Sequence, residues 1–142
     1  MSNAAKLLER WYQEVWADGN EQTIRDLWGE GLVLHGVGPE PVRSPAEFVE
    51  FWAGCRASLP DLRIEVHEII GDGDTAALRA TSYFTDPRTG ASIAMNGSTF
   101  AVVKDGKFSR VHDTWDFLAP LEATNLVDPG AVQKMMMTMA NS

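Results

Sequence analysis

The sequence predicts an α+β fold in which a curved antiparallel sheet wraps around N-terminal helices and forms a cone with an internal pocket. Apolar residues recur at helical spacing up to about residue 58, and after Pro60 their period changes to two, as in strands. The strand-like segments follow one another with short connections, which favours an antiparallel meander with one face covered by the helices. A sheet bent around helices encloses space, and any part left unfilled is a pocket.

Length and composition indicate a single domain over residues 1–142, with a core at about 4–122 and a C-terminal extension at 123–142. The net charge is −8 and basic residues do not cluster, which argues against binding to nucleic acid or to a membrane surface. Cys55 is the one cysteine and cannot form an internal disulfide. No run of apolar residues is long enough for a membrane span, and we expect a cytoplasmic protein.

The first half of the chain is predicted to be mainly helical. Residues 4–17 carry an amphipathic pattern, and Asn20 can cap a short second helix over 21–27 or 28. A short strand over 32–35 then ends at His35, before a loop rich in glycine and proline.

The third helix has the clearest start signal in the chain. Ser44 can cap it, Pro45 fits its first turn, and Glu47 stands where a capping box requires a glutamate. We predict that this helix covers residues 45–58 and that it packs with the first helix on the concave face of the sheet.

Four strands are predicted after Pro60, separated by turns of glycine, aspartate and proline. They cover about residues 62–70, 75–85, 91–103 and 106–116. Gly97, inside the third of them, indicates a bulge or a bend. A short helix over residues 130–139 is predicted near the C-terminus.

The last predicted strand, GKFSRVHDTWD, carries the candidate chemistry. Strict alternation places five side chains on the face predicted to point into the cone: Phe108, Arg110, His112, Thr114 and Asp116. The other face then carries Asp113, together with Val111 and Trp115 on the convex outside. The alternative is that the first set is a solvated outer face.

Asp116 is the predicted general acid/base. It precedes the apolar pair Phe117 and Leu118, where hydration is poor, and burial raises the pKa of a carboxyl so that it can take up a proton and return it. The alternative role is that of a strand-end aspartate capping a loop.

His112 and His35 are the predicted partners of Asp116, because imidazole suits proton transfer near neutrality. The alternative for His35 is a half-buried structural residue. The substrate is expected to contact further side chains from the helices and strands: Tyr12, Trp16, Trp52, Asn96, Phe108, Arg110 and Thr114. Asn96 equally suits a strand that faces solvent.

No cofactor and no metal is expected. The three histidines lie on different strands without the paired spacing of a metal site, and the chain has neither a phosphate-binding glycine loop nor a nucleophile elbow.

Several phrases, taken in order, resemble the SnoaL-like polyketide cyclase family of the nuclear-transport-factor-like superfamily. They are WYQEVWADGN from Trp11, LVLH ending at His35, LPDL from Leu59, GDGD from Gly71, and the closing GKFSRVHDTWD. Together they span roughly residues 8–122.

The resemblance implies an α+β barrel domain in which an aspartate at the end of the last strand acts as general acid/base in an aldol ring closure. That position corresponds to Asp116, and the family's histidine at the end of the first strand corresponds to His35. Related pockets in the superfamily isomerise ketosteroids, dehydrate, or hydrolyse epoxides. The Arg-x-Asp pair needed for epoxide hydrolysis is missing, because Arg79 is followed by Ala80 and Thr81.

The leading hypothesis is a cofactor-independent enzyme acting on a small, largely apolar carbonyl compound. Asp116 would move the proton next to the carbonyl, and His112 or His35 would stabilise the oxyanion, assisted by Asn96 or Tyr12. The alternative is a non-catalytic small-ligand-binding or protein-association domain. An apolar patch on the convex face, with Val111 and Trp115, predicts a homodimer.

Overall fold

Helices and a five-stranded sheet make up the computed structural model, which describes residues 1–142. The helical elements are α1 (Asn3–Arg10), a π-helical segment (Trp11–Ala17), α2 (Glu21–Leu27), α3 (Pro45–Ser58), α4 (Leu118–Ala123) and α5 (Ala131–Ala140). The strands are β1 (Leu34–His35), β2 (Arg63–Asp72), β3 (Thr75–Thr85), β4 (Ser92–Lys104) and β5 (Lys107–Trp115). The predicted α+β fold with N-terminal helices and a curved sheet is confirmed.

The strand order is β1-β5-β4-β3-β2, and β2 to β5 form the predicted antiparallel meander. The two residues of β1 pair with β5 in parallel, with Leu34 opposite Val111 and His35 opposite His112. The expected barrel is wrong, because β1 and β2 are the two edges of an open sheet and no hydrogen-bonded ladder joins them.

Side-chain caps explain where α2 and α3 begin. Asn20 Oδ1 accepts a hydrogen bond of 3.0 Å from the backbone N–H of Gln22. Ser44 Oγ accepts one of 3.2 Å from the N–H of Glu47, whose carboxylate in turn accepts the N–H of Arg43 at 2.8 Å. These contacts satisfy backbone donors that a helix start leaves unpaired, which is why the capping signals predicted both helices correctly.

The first predicted helix changes its hydrogen-bonding pattern half-way. Residues 3–10 are α-helical, whereas 11–17 form wider π-type turns, and the N–H of Asp18 donates to the carbonyl of Gln13 at 2.8 Å. The amphipathic spacing predicted the helical stripe but not this change, since both helix types keep Trp11, Tyr12 and Val15 on the buried side.

The core lies between the helices and the concave face of the sheet. Trp11 sits at its centre, with ring centroids 5.1 Å from Phe48 of α3 and 5.7 Å from Phe108 of β5. Trp52 is also buried, and its indole N–H donates to the carbonyl of Val15 at 2.9 Å, which ties α3 to the π-helical segment.

A β-bulge in β5 determines which side chains enter the core. Val102 pairs with Arg110 and Val103 with Phe108, so Ser109 is an extra residue whose hydroxyl donates to the carbonyl of Val102 at 3.1 Å. Phe108 and Val111, three positions apart, are therefore both buried. From the bulge onward, the faces of β5 are the reverse of those that strict alternation predicts.

The two C-terminal helices carry no buried residues. α5 matches the predicted helix at residues 130–139 to within one residue. No helix in the structure is both long and apolar enough to cross a membrane.

Candidate active site

A cavity of about 90 Å³, partly open to solvent, lies between the helices and the concave face of the sheet. Of its 22 lining residues, 19 are hydrophobic and three are polar: Ser82, Thr99 and Asp113. Aromatic rings make up much of the wall: Trp11, Tyr12, Trp16, Phe48, Phe51, Phe84, Phe108, Trp115 and Phe117. No lysine, arginine or histidine lines the cavity, so Asp113 is the one group there that carries charge near neutrality.

Asp113 reaches the cavity from β5, and two donors hold its carboxyl group. Thr99 Oγ1 donates to Oδ1 at 2.9 Å, and the indole N–H of Trp115 lies 3.3 Å from Oδ2. Enclosure by the protein raises the pKa of Asp113 to about 6, although both hydrogen bonds oppose that shift. A carboxyl with this pKa is accessible as acid and as base near neutral pH.

Tyr12 extends this hydrogen-bonded group along the cavity wall. Its hydroxyl lies 2.6 Å from Thr99 Oγ1, and the residue is 6% exposed. Burial raises the pKa of Tyr12 well above its ordinary value, and the charge of Asp113 adds to the effect. The phenol is therefore a neutral hydrogen-bonding group.

Gly97 allows Trp115 to hold its place beside Asp113. The indole ring lies over the backbone of β4, and a Cβ added to Gly97 would overlap its Cε3 atom. The prediction at Gly97 was a bulge or a bend, and the bulge is wrong, because the register of β4 with both neighbouring strands is regular there. Because glycine has no Cβ, the Trp115 ring can lie close to the backbone at this position.

A SnoaL-like domain model matches residues 8–111. The chain belongs to the SnoaL-like family. No curated protein sequence matches it.

Solved structures support the fold of this SnoaL-like chain. An NTF2-like protein from Burkholderia thailandensis superposes with a TM-score of 0.77 at 16% identity, over 87% of this chain and 98% of the other. IdmH from Streptomyces antibioticus, described as a candidate polyketide cyclase, gives 0.73 at 21% identity, over 86% and 98%. TerC, co-crystallised with polyporic acid, gives 0.72 at 22% identity, over 86% and 98%. Each identity is low, so the likeness concerns the fold alone.

The predicted position of Asp116 is wrong. The residue is exposed, its N–H donates to the carbonyl of Asn96 at 2.8 Å, and its Oδ1 accepts the N–H of Ala119 at 3.3 Å. Its carboxylate accepts a backbone donor in the first turn of α4, so the residue has a structural role at the end of the strand, although it caps a helix and not the loop that was expected.

The predicted positions of His112 and His35 inside the cone are also wrong. Both are exposed on the outer side of the sheet, where their rings stack at 4.7 Å with an angle of 11° between the planes. Their contact follows from the parallel register, which sets the two residues opposite each other. The cavity lies on the other side of the sheet.

Three predicted substrate contacts lie on this outer face too. Arg110 and Thr114 are exposed because the bulge reverses the faces of β5, and the Arg110 guanidinium stands 5.7 Å from the ring centre of Phe100. Asn96 is exposed, and its Oδ1 accepts a hydrogen bond of 2.8 Å from Thr81.

The remaining predicted contacts divide between cavity and core. Tyr12, Trp16 and Phe108 line the cavity, whereas Trp52 does not, since its indole is used to bind the Val15 carbonyl. No group of three or more histidine, cysteine, aspartate or glutamate side chains could hold a metal ion.

Sequence reasoning missed Asp113 and Thr99. A signal for Asp113 was present, because Val111 and Trp115 flank it at a spacing of two and give its face the more apolar pattern. Thr99 lies in β4 between Gly97 and Ala101, on a face of small and apolar residues, and gave no separate signal.

Proposed function

We propose that this SnoaL-like protein is an enzyme that moves a proton at the carbon next to a carbonyl group, with Asp113 as the acid/base. The ligand is a compact, uncharged and largely apolar carbonyl compound. Aldol ring closure and isomerisation both begin with this proton transfer. We propose the reaction without a cofactor, because the carboxyl of Asp113 can itself accept and return the proton.

The observation that carries this proposal is the solitary carboxyl of Asp113 in an aromatic cavity. Its pKa of about 6 leaves it ionised above that pH and protonated below. An ionised carboxyl repels anionic ligands, and no cationic side chain in the wall compensates for it. Aromatic walls suit a flat, unsaturated molecule.

The structural neighbours support the ligand class at the level of the fold. IdmH is described as a candidate polyketide cyclase, and TerC was crystallised with polyporic acid, which differs from the proposed ligand in being an acid. For this chain both are analogies, since one fold hosts many reactions.

A specific observation favours a second candidate, a non-catalytic ligand-binding domain. Both carboxyl oxygens of Asp113 already accept hydrogen bonds from the protein, as they would in a purely structural role. An enzyme would catalyse proton transfer on its ligand, whereas a non-catalytic binding domain would not.

Deuterium exchange at the α-carbon of 2-tetralone in D₂O tests the proposal. This uncharged bicyclic ketone serves as a probe, and its exchange is followed by proton NMR. We expect the wild type to accelerate exchange and Asp113→Asn to lose the acceleration. Asp116→Asn is the matched control, because it removes an exposed carboxyl three residues away and should leave the rate unchanged. An active Asp113→Asn variant, or an inactive wild type with bound 2-tetralone, would contradict the proposal.

We also propose a homodimer through the outer face of the sheet, on a basis different from the predicted one. Val111 and Trp115 cannot form its patch, because they line the cavity. The face instead exposes Phe100 at 40% and Ile70 at 69%.

A further inference from the structure

Three polar side chains form an unbranched hydrogen-bonded chain along the cavity wall. Tyr12 comes from the π-helical segment, Thr99 from β4 and Asp113 from β5, and all three line the cavity. The oxygen of Thr99 lies 2.6 Å from the Tyr12 hydroxyl and 2.9 Å from Asp113 Oδ1. Thr99 is therefore the shared member of both hydrogen bonds.

The number of hydrogens on Thr99 fixes the direction of this chain. A hydroxyl has one hydrogen to donate, and an ionised carboxylate can only accept. When Asp113 is ionised, Thr99 donates to it and must accept from Tyr12. The hydrogen of Tyr12 is then used within the chain and is not available to a ligand.

Protonation of Asp113 at Oδ1 reverses the direction. The new O–H of Asp113 donates to Thr99, whose own hydrogen then turns to the oxygen of Tyr12. Tyr12 has become an acceptor in the chain, and its hydrogen is free to point into the cavity.

We propose that Thr99 is a positioning residue that couples Asp113 to Tyr12, so that Tyr12 becomes a donor to the ligand's oxygen when Asp113 takes the ligand's proton. This inference rests on the proposed function. In the step, the C–H bond of the ligand breaks and its electron pair moves to the carbonyl oxygen, which becomes an enolate. The proton forms an O–H bond with Asp113. No proton leaves Tyr12, whose hydrogen only changes its hydrogen-bond partner.

The geometry of the wall suits this coupling. Two hydrogen bonds that meet at one hydroxyl oxygen set their outer atoms roughly 4–5 Å apart. A ligand can then place its α-carbon at Asp113 and its carbonyl oxygen at Tyr12. None of the lining residues is cationic, so an enolate there would depend on hydrogen-bond donors for its stabilisation, and Tyr12 is the donor that Thr99 links to Asp113.

Carbon-13 NMR of the full-length protein tests the coupling without any ligand. The chain has two tyrosines, Tyr12 and Tyr83, so labelling tyrosine at Cζ gives two signals, which a Tyr83→Phe variant assigns. We expect the Tyr12 signal to titrate with the same midpoint as the Cγ signal of Asp113. Asp113→Asn should remove that titration.

Two variants of Thr99 distinguish reversal of the hydrogen-bonded chain from a direct effect of the Asp113 charge on the Tyr12 signal. Thr99→Val keeps the size of the side chain but cannot relay a hydrogen bond, so we expect the Tyr12 titration to be lost. Thr99→Ser should restore it, and Thr99→Ala replaces Thr99→Val if the latter does not fold. An equal Tyr12 titration in the valine or alanine variant would overturn the inference, because the charge of Asp113 alone would then explain it. Absence of the titration in the wild type would overturn it as well.

Exchange of 2-tetralone measures the consequence for the ligand. Tyr12→Phe should lower kcat at least tenfold while KM changes less than twofold, since the proposed donor acts only after proton transfer begins. An unchanged kcat would refute the role of Tyr12. Failure of the wild type to catalyse exchange of bound 2-tetralone would refute the proposed function instead, and the ligand-free titration distinguishes the two failures.

Discussion

Asp113 and Asp116 lie on opposite sides of the sheet although only two residues separate them. The carboxyl of Asp113 is enclosed between Thr99 and Trp115, whereas Asp116 faces solvent and caps α4. Strand alternation separates the two, and the bulge at Ser109 determines which of them faces the cavity. The chemistry available to the protein therefore depends on one extra residue in β5.

Burial of Asp113 should make the stability of the protein fall as pH rises from about 4 to about 6. The pKa of the Asp113 carboxyl is 3.8 in the unfolded chain and about 6 in the folded protein. Between these two pH values the folded state therefore binds more protons than the unfolded state. Ionisation of buried Asp113 costs no stability below about pH 4. Above about pH 6 it lowers the free energy of unfolding by its full amount, about 3 kcal/mol or less.

Urea unfolding across this pH range, for the wild type and Asp113→Asn, measures the effect. The difference in the free energy of unfolding between the two proteins should change with pH only inside the window. If the difference in the free energy of unfolding stayed constant from pH 4 to pH 7, the pKa of Asp113 would not be raised in the folded protein.

Gly97→Ala should destabilise the protein by roughly 1–3 kcal/mol, because its Cβ would overlap the Trp115 ring and force it to move. Displacement of the ring should also change the fluorescence of the folded protein and remove the hydrogen bond to Asp113. Ser98→Ala is the matched control, since Ser98 is the exposed neighbour on the same strand. Equal stability of both variants in urea would contradict the packing described for Trp115.

The sequence was sufficient for the order of the elements, except for the unpredicted helix α4, and for most of their boundaries. Capping residues located the start of α3 at Pro45, and turn glycines separated the long strands of the meander. These signals act locally, so they can be read from neighbouring residues.

The face of a strand is not a local property once a bulge is present. The bulge at Ser109 depends on the pairing of β5 with β4, and alternation counted from Phe108 therefore selected the wrong face. Asp116 and His112 were predicted to lie inside for this reason, whereas His35, on β1, was placed there by its position at the end of the first strand and by the family resemblance. The role of Thr99 could not be predicted locally, because its hydrogen bonds are to residues distant in the sequence, in the π-helical segment and in β5.

Trp52→Phe should reduce stability without affecting exchange of 2-tetralone. The substitution removes the indole donor to the Val15 carbonyl, and loss of such a buried hydrogen bond costs roughly 1–3 kcal/mol. Trp52 does not line the cavity, so the remaining folded protein should keep its rate. Trp16→Phe is the comparison variant, because Trp16 lines the cavity whereas Trp52 does not. A selective loss of activity in Trp52→Phe would return Trp52 to the set of substrate contacts.

The proposed homodimer predicts a wild-type mass near twice 15.6 kDa by light scattering at micromolar concentration. Phe100→Lys should yield a monomer, because it places a charge in the exposed apolar patch. Met136→Lys, on exposed α5, is a control that should stay dimeric. A monomeric wild type would rule out the dimer at that concentration.

The pH dependence of 2-tetralone exchange tests the role of Asp113 most directly. The base must be ionised to take a proton, so the enzymatic rate should rise with pH and level off above a midpoint near 6. That midpoint should equal the one found for the Asp113 Cγ signal by carbon-13 NMR in the same buffer, after subtraction of the rate with Asp113→Asn. Equal midpoints are the predicted result. A rate that follows a different midpoint, or that persists in Asp113→Asn, would contradict Asp113 as the acid/base.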